Sequence, residues 1–119
     1  MYTISKMFSF EASHQLTGLP EGHTCMRMHG HSYRVELIVR SPVVDEHGFV
    51  MDYGDFKPFQ EYIDQNLDHR HLNDVLSGIN PTAENIAKHL YDVACKSWSD
   101  VAITVRVSET QRTWASYEP

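Results

Sequence analysis

The chain has 119 residues, 41% hydrophobic and 22% charged, with a formal net charge of −6. That length supports one modest core, no stretch reaches the roughly 20 apolar residues of a membrane span, and the acidic balance excludes a broad nucleic-acid-binding surface, which has to neutralise phosphates. Residues 1–6 lack the basic-then-apolar layout of a secretory leader, so a cytoplasmic location is expected, with Cys25 and Cys95 reduced rather than bridged.

Residues 2–14 alternate: Tyr2, Ile4, Phe8, Phe10 and Ala12 share one face, and Thr3, Ser5, Ser9, Glu11 and Ser13 the other. That is a half-buried strand, and it delivers His14 onto the apolar face. Gly18, Pro20 and Gly22 mark residues 16–28 as a loop. A second strand from His29 to about Val39 puts His31, Tyr33, Val35, Leu37 and Val39 together, with Ser32, Arg34, Glu36 and Arg40 opposite. After a turn around residues 41–48, a short strand is expected at Phe49, Val50 and Met51. A helix from about Asp55 shows Phe56, Phe59, Ile63 and Leu67 at helical spacing, with Pro58 tolerated in its first turn.

Residues 68–74 are polar and expected to be non-helical in part. A second helix follows, with Asn80 as cap, Pro81 at the first position and a buried stripe of Ala83, Ile86, Ala87, Leu90 and Ala94. Val101, Ile103, Val105 and Val107 then alternate toward Glu109, and a turn at residues 110–112 leads into residues 114–117. The layout is α+β: an antiparallel four-stranded sheet with two helices on one face, as a single domain. Such a sheet has two unpaired edges. Joining them between copies into a closed barrel would cover both, so a ring-shaped homo-oligomer is expected.

The chemistry centres on His14, His29 and His31. Side chains two positions apart on a strand point the same way, so His29 and His31 share the face of Tyr33, and His14 ends a matching one. Imidazoles in apolar surroundings need polar partners, and one divalent cation serves all three. Three neutral imidazoles leave zinc an open coordination position, as in catalytic sites. Cys25 sits among loop residues rather than core. It is either a fourth ligand closing a structural site or a free thiolate favoured by the cation and Arg27, and the residues alone leave both open. Asp68 beside His69 suits an oriented acid/base pair, although such pairs also occur as ordinary polar helix ends. Glu109 continues the apolar face of its strand, where a carboxylate needs a strong partner, either a guanidine-like heterocycle edge or an arginine. Glu84, in the first turn of the second helix, at the least compensates the helix dipole.

Seven segments together resemble the 6-pyruvoyltetrahydropterin synthase / 6-carboxytetrahydropterin synthase family, in the same order along the chain. They are Phe10-Glu11-Ala12-Ser13-His14, Cys25-Met26-Arg27-Met28-His29-Gly30-His31-Ser32, Met51-Asp52-Tyr53, Leu67-Asp68-His69, Leu72-Asn73, Asn80-Pro81-Thr82-Ala83-Glu84-Asn85 and Val107-Ser108-Glu109-Thr110. The resemblance implies a T-fold whose subunits trimerise into a barrel and often stack as hexamers. It implies zinc on His14, His29 and His31, Cys25 as catalytic base, and Asp68 and His69 as its acid/base partners, serving a neighbouring copy's Cys25. Glu109 matches the carboxylate that anchors the pterin ring, and Glu84 a further pterin-side position. The implied substrate is 7,8-dihydroneopterin triphosphate. One family outcome eliminates triphosphate to give 6-pyruvoyltetrahydropterin. The other releases acetaldehyde and triphosphate to leave 6-carboxytetrahydropterin, a step toward queuosine. The short chain and its Pro-Glu-Gly-His-Thr-Cys run with Arg27 resemble the second, bacterial branch. The non-catalytic alternatives are a structural-zinc module and a pterin binder without turnover.

Overall fold

The computed structural model describes residues 1–119. In chain order the elements are β1 (Tyr2–His14), β2 (His29–Ser41), α1 (Lys57–Asn66), β3 (Arg70–His71), α2 (Leu72–Val75), α3 (Ala83–Cys95), β4 (Ala102–Ser108) and β5 (Ala115–Tyr117), with short 3₁₀ turns at Thr24–Met26 and Tyr53–Phe56. The strands form one sheet in the order β3-β1-β2-β4-β5. β1 and β2 pair antiparallel along their whole length, from Tyr2 opposite Ser41 to His14 opposite His29. β3 is two residues long and runs parallel to the end of β1, Arg70 beside Ala12 and His71 beside Ser13.

The alternation predicted for the two long strands holds. Phe8, Phe10 and Ala12 of β1 and Tyr33, Val35, Leu37 and Val39 of β2 are buried, while their odd and even neighbours respectively are not. α1 contributes Phe59 and Ile63 to this layer, and α3 contributes Ile86, Ala87, Leu90 and Ala94. Phe8 meets Phe59 of α1 edge-on at 5.1 Å, joining sheet to helix, and Phe10 stacks on Tyr33 at 4.8 Å within the sheet. Each such side chain, fully buried, stabilises the fold by roughly 1.5–3 kcal/mol. On the opposite face the strands are polar and charged, and Arg106 of β4 reaches Glu36 of β2 at 2.7 Å.

Three expectations are corrected. The four-stranded antiparallel sheet is a mixed sheet of five, because residues 70–71 add a short parallel strand beside β1. Residues 49–51 form no strand; Asp45 instead caps a tight turn by accepting from the backbone N–H of His47 and Phe49. The cap of α3 is Thr82, whose hydroxyl accepts from Asn85 N, and Pro81 lies before the helix. Asn80 is used elsewhere: its amide exchanges hydrogen bonds with the Thr17 backbone and fastens the β1–β2 loop. No helix is long and apolar enough to cross a membrane.

Between α1 and α3, Tyr62 Oη meets His89 Nε2 at 2.5 Å, and burial pushes the His89 pKa below its ordinary value. As pH falls below the unfolded-state value near 6.5, the unfolded chain therefore takes up this proton first, and stability is lost. Urea titrations at pH 5.5 and 7.5 should show wild type losing more stability between the two than the variant His89→Gln, which keeps a hydrogen-bonding side chain and has no proton to bind.

Candidate metal centre and active site

The β1–β2 register builds the centre. His14 lies directly opposite His29, and His31 opposite Ala12, so the three imidazoles converge at one end of the buried face. Gly30 between them sits at a close approach: a Cβ there would stand 3.3 Å from the Ala12 carbonyl oxygen, a tight contact that the backbone would have to relax. The ligand-type nitrogens of His14, His29 and His31 all lie within 4.8 Å of one another. His14 is 1% exposed.

The hydrogen bonds assign the protons. His14 Nδ1 donates to the Pro81 carbonyl at 2.8 Å, with Tyr33 Oη at 3.2 Å beside it, and His29 Nδ1 donates to the Arg27 carbonyl at 2.6 Å. A carbonyl only accepts, so both rings spend their single neutral N–H there. Their Nε2 atoms then face each other at 2.8 Å with a lone pair each. Two lone pairs at that distance repel unless they share a cation. His31 Nε2, buried beside them, has no hydrogen-bond partner at all. Burial lowers its pKa, Glu109 opposes this, and His14 and His29 add to the lowering, so the neutral, ligating form is favoured. Carbonyl-anchored Nδ1–H with converging Nε2 atoms is the arrangement of metal-ligating histidine. These residues fit a metal ion.

Cys25 is outside that cluster of donor atoms. It lies in the short turn of residues 24–26, half-buried, with its backbone N–H donating to His23 Nδ1 and its carbonyl accepting from Leu16 N at 2.9 Å. Glu109, expected to be buried, is half-buried directly after β4, its Oε2 3.8 Å from His31 Nε2, which is too long for a hydrogen bond. Glu109 also lines a cleft of about 370 Å³ with Glu84, so the structure brings those two carboxylates together.

Asp68 and His69 form a pair that is held from three sides. Asp68 Oδ2 meets His69 Nδ1 at 2.9 Å, Asp68 Oδ1 accepts from Glu11 N at 2.9 Å, and His69 N donates to the Glu11 carbonyl at 2.6 Å. The Glu11 N–H first, then His69, lower the Asp68 pKa. His69 has φ 58°, in the left-handed region that non-glycine residues enter at a cost and that clusters at functional sites. Its imidazole is exposed in a cleft of about 510 Å³ lined by Glu11, Ser13 and Ser32 of the polar sheet face and also by Ala12 and His31. No hydrogen bond or ion pair joins the pair to Cys25 of the same chain. The sequence analysis missed the supports of the histidine cluster, Tyr33 Oη and the Pro81 carbonyl. Tyr33 carried a signal, a phenol on the same face as His31. A backbone carbonyl carries none.

Three histidines able to hold a metal ion converge at the end of a sheet whose apolar face is packed against helices. The sequence model described as 6-pyruvoyl tetrahydropterin synthase matches residues 3–119. The chain is 38% identical over 122 residues to the 6-carboxy-5,6,7,8-tetrahydropterin synthase of Synechocystis, covering 98% of this chain and 93% of that one. Identity to the 6-pyruvoyl tetrahydrobiopterin synthase of Dictyostelium discoideum is 32% over 97 residues, covering 78% and 72%. The structure of Caenorhabditis elegans 6-pyruvoyl tetrahydropterin synthase superposes with a TM-score of 0.86 over 99% of this chain and 95% of that one, at 24% identity, which establishes the shared T-fold. The chain belongs to the 6-pyruvoyl tetrahydropterin synthase family.

Metal titration of metal-free protein should saturate near one divalent ion per chain, and His31→Ala should abolish tight binding while leaving the far-ultraviolet spectrum unchanged. An unaltered stoichiometry in that variant would remove His31 from the centre.

Proposed function

We propose that this protein is a zinc-dependent lyase that converts 7,8-dihydroneopterin triphosphate to 6-carboxy-5,6,7,8-tetrahydropterin, releasing acetaldehyde and triphosphate in a step toward queuosine. The observation that carries the reading is the convergence of one ring nitrogen from each of His14, His29 and His31 within 4.8 Å, with two of the three rings anchored through Nδ1. The carboxy product is favoured over the pyruvoyl one by the identity and coverage of the Synechocystis relative against the Dictyostelium one. Zinc is favoured because imidazole ligands suit it, and three of them leave a position for substrate.

The residues divide the work. His14, His29 and His31 would hold zinc, whose Lewis acidity when bound acidifies hydroxyl groups next to it. Cys25, outside the ligand cluster, is the base that takes a proton from the substrate side chain beside the ring. Asp68 fixes the His69 imidazole, which returns or relays that proton. Glu109 accepts from the guanidine-like edge of the pterin as a charge-assisted pair, with Glu84 across the same cleft.

The protein works as a cytoplasmic homo-oligomer, a trimer or a pair of trimers, in which Asp68 and His69 serve the Cys25 of a neighbouring copy. Two observations support this. The His69 imidazole is exposed in a cleft at the edge of the sheet, and residues 68–71 cover only Glu11, Ala12 and Ser13, so most of the outer edge of β1 is free to pair. Cys25→Ala and His69→Ala chains, each inactive alone, should regain activity when refolded together. No recovery would place both groups in one subunit's site.

Cys25→Ala should keep its zinc and lose about 10²- to 10⁴-fold in turnover, the usual contribution of a general base. Loss of the metal instead would indicate a closed structural site. With wild type and 7,8-dihydroneopterin triphosphate, acetaldehyde should appear in step with triphosphate. A pyruvoyl product without acetaldehyde would assign the other reaction of the family.

A further inference from the structure

Residues 15–17 leave β1 directly after His14 and belong to no strand, yet both ends of this stretch are clamped. Asn73 of α2 accepts from the Gln15 N–H at 2.9 Å and donates to the Gln15 carbonyl at 2.7 Å. Asn80, ahead of α3, treats Thr17 in the same way, accepting from its N–H and donating to its carbonyl at 2.8 Å each. A side-chain amide that exchanges both bonds with one residue copies the pairing of a neighbouring strand. Asn80 is itself held, since its own carbonyl accepts from Asn85 Nδ2 at 2.8 Å and from Thr82 N at 2.9 Å.

The clamped stretch in turn holds the turn that carries Cys25. Leu16 N donates to the Cys25 carbonyl at 2.9 Å, and Gln15 Nε2 donates to the Met26 carbonyl at 2.8 Å. The next carbonyl, of Arg27, accepts from the His29 ring at 2.6 Å. Three successive carbonyls are thus bound either to the residues just after His14 or to His29. A segment outside regular structure ordinarily lacks such pairing and opens easily. We infer that Asn73 and Asn80 are positioning residues for Cys25: through residues 15–17 they hold its turn in one place relative to the three-histidine cluster. The inference rests on the reading of Cys25 as the base. It also accounts for the amide. A carboxylate at either position would keep the acceptor and set two oxygens without a proton against each other at the carbonyl. Neither asparagine is a metal ligand or lines the Glu84–Glu109 cleft, so the clamp sets kcat rather than KM.

Asn73→Asp removes the donor and keeps the size of the side chain. With 7,8-dihydroneopterin triphosphate it should lower kcat about 10- to 100-fold, the cost of a misplaced catalytic group, with KM and zinc stoichiometry unchanged. In a Cys25→Ala background the same change should cost less than about twofold, because it acts through the missing thiol. Equal losses in both backgrounds, or an effect on thermal stability alone, would overturn the role. A second readout needs no turnover: the pH midpoint of Cys25 alkylation by iodoacetamide, read by mass spectrometry with and without zinc. Zinc should lower that midpoint in wild type and lower it much less in Asn73→Asp, and an equal lowering would overturn the clamp. If Cys25→Ala turns over like wild type, or zinc leaves the wild-type midpoint where it was, the base reading fails and takes this inference with it. Should Asn73→Asp not fold, Asn80→Asp takes its place in both measurements.

Discussion

Two imidazole nitrogens 2.8 Å apart, each with its proton already committed to a carbonyl, are the constraint around which this protein is arranged. The contact is repulsive without a shared cation, and it exists because β1 and β2 pair in one register only. A slip by one residue would turn His14 to the polar face and remove it from His29 and His31. The apolar alternation of β1 forbids that slip, since Phe8 and Phe10 would leave the core with it. The packing that stabilises the sheet and the geometry that gathers the ligands are therefore the same feature.

The two faces of the sheet carry different parts of the chemistry. The helix-covered face holds the three-histidine cluster at its end, and the His14 ring is anchored to the carbonyl just before α3, at Pro81. The polar face holds the Asp68–His69 pair, strained at His69 and bound to the Glu11 backbone in both directions. Glu109 stands where these regions meet, beside His31 on one side and in the cleft it shares with Glu84 on the other.

The long periodic elements were legible in the sequence because burial alone dictates them. Thirteen-residue strands with one apolar face, and a thirteen-residue helix with Ile86, Ala87, Leu90 and Ala94 on one side, have one way to bury those faces. The histidine trio was legible for the same reason, being placed by strand parity. The short elements were not. Residues 49–51 are β-prone, yet Asp45 claims the backbone there for a turn, and β3 exists only because Glu11 receives the neighbouring Asp68 and His69. Thr82 displaced Asn80 as the cap because Asn80 was already bound to the loop at Thr17.

Cobalt substitution tests the centre most directly, because the spectrum of Co²⁺ reports its ligand atoms. Loaded into wild type, cobalt should give ligand-field bands of a nitrogen- and oxygen-bound ion, with no thiolate-to-metal charge-transfer band in the near ultraviolet. A strong charge-transfer band that disappears in Cys25→Ala would show sulfur closing the coordination sphere, and would contradict an open catalytic metal with a free thiol at its side.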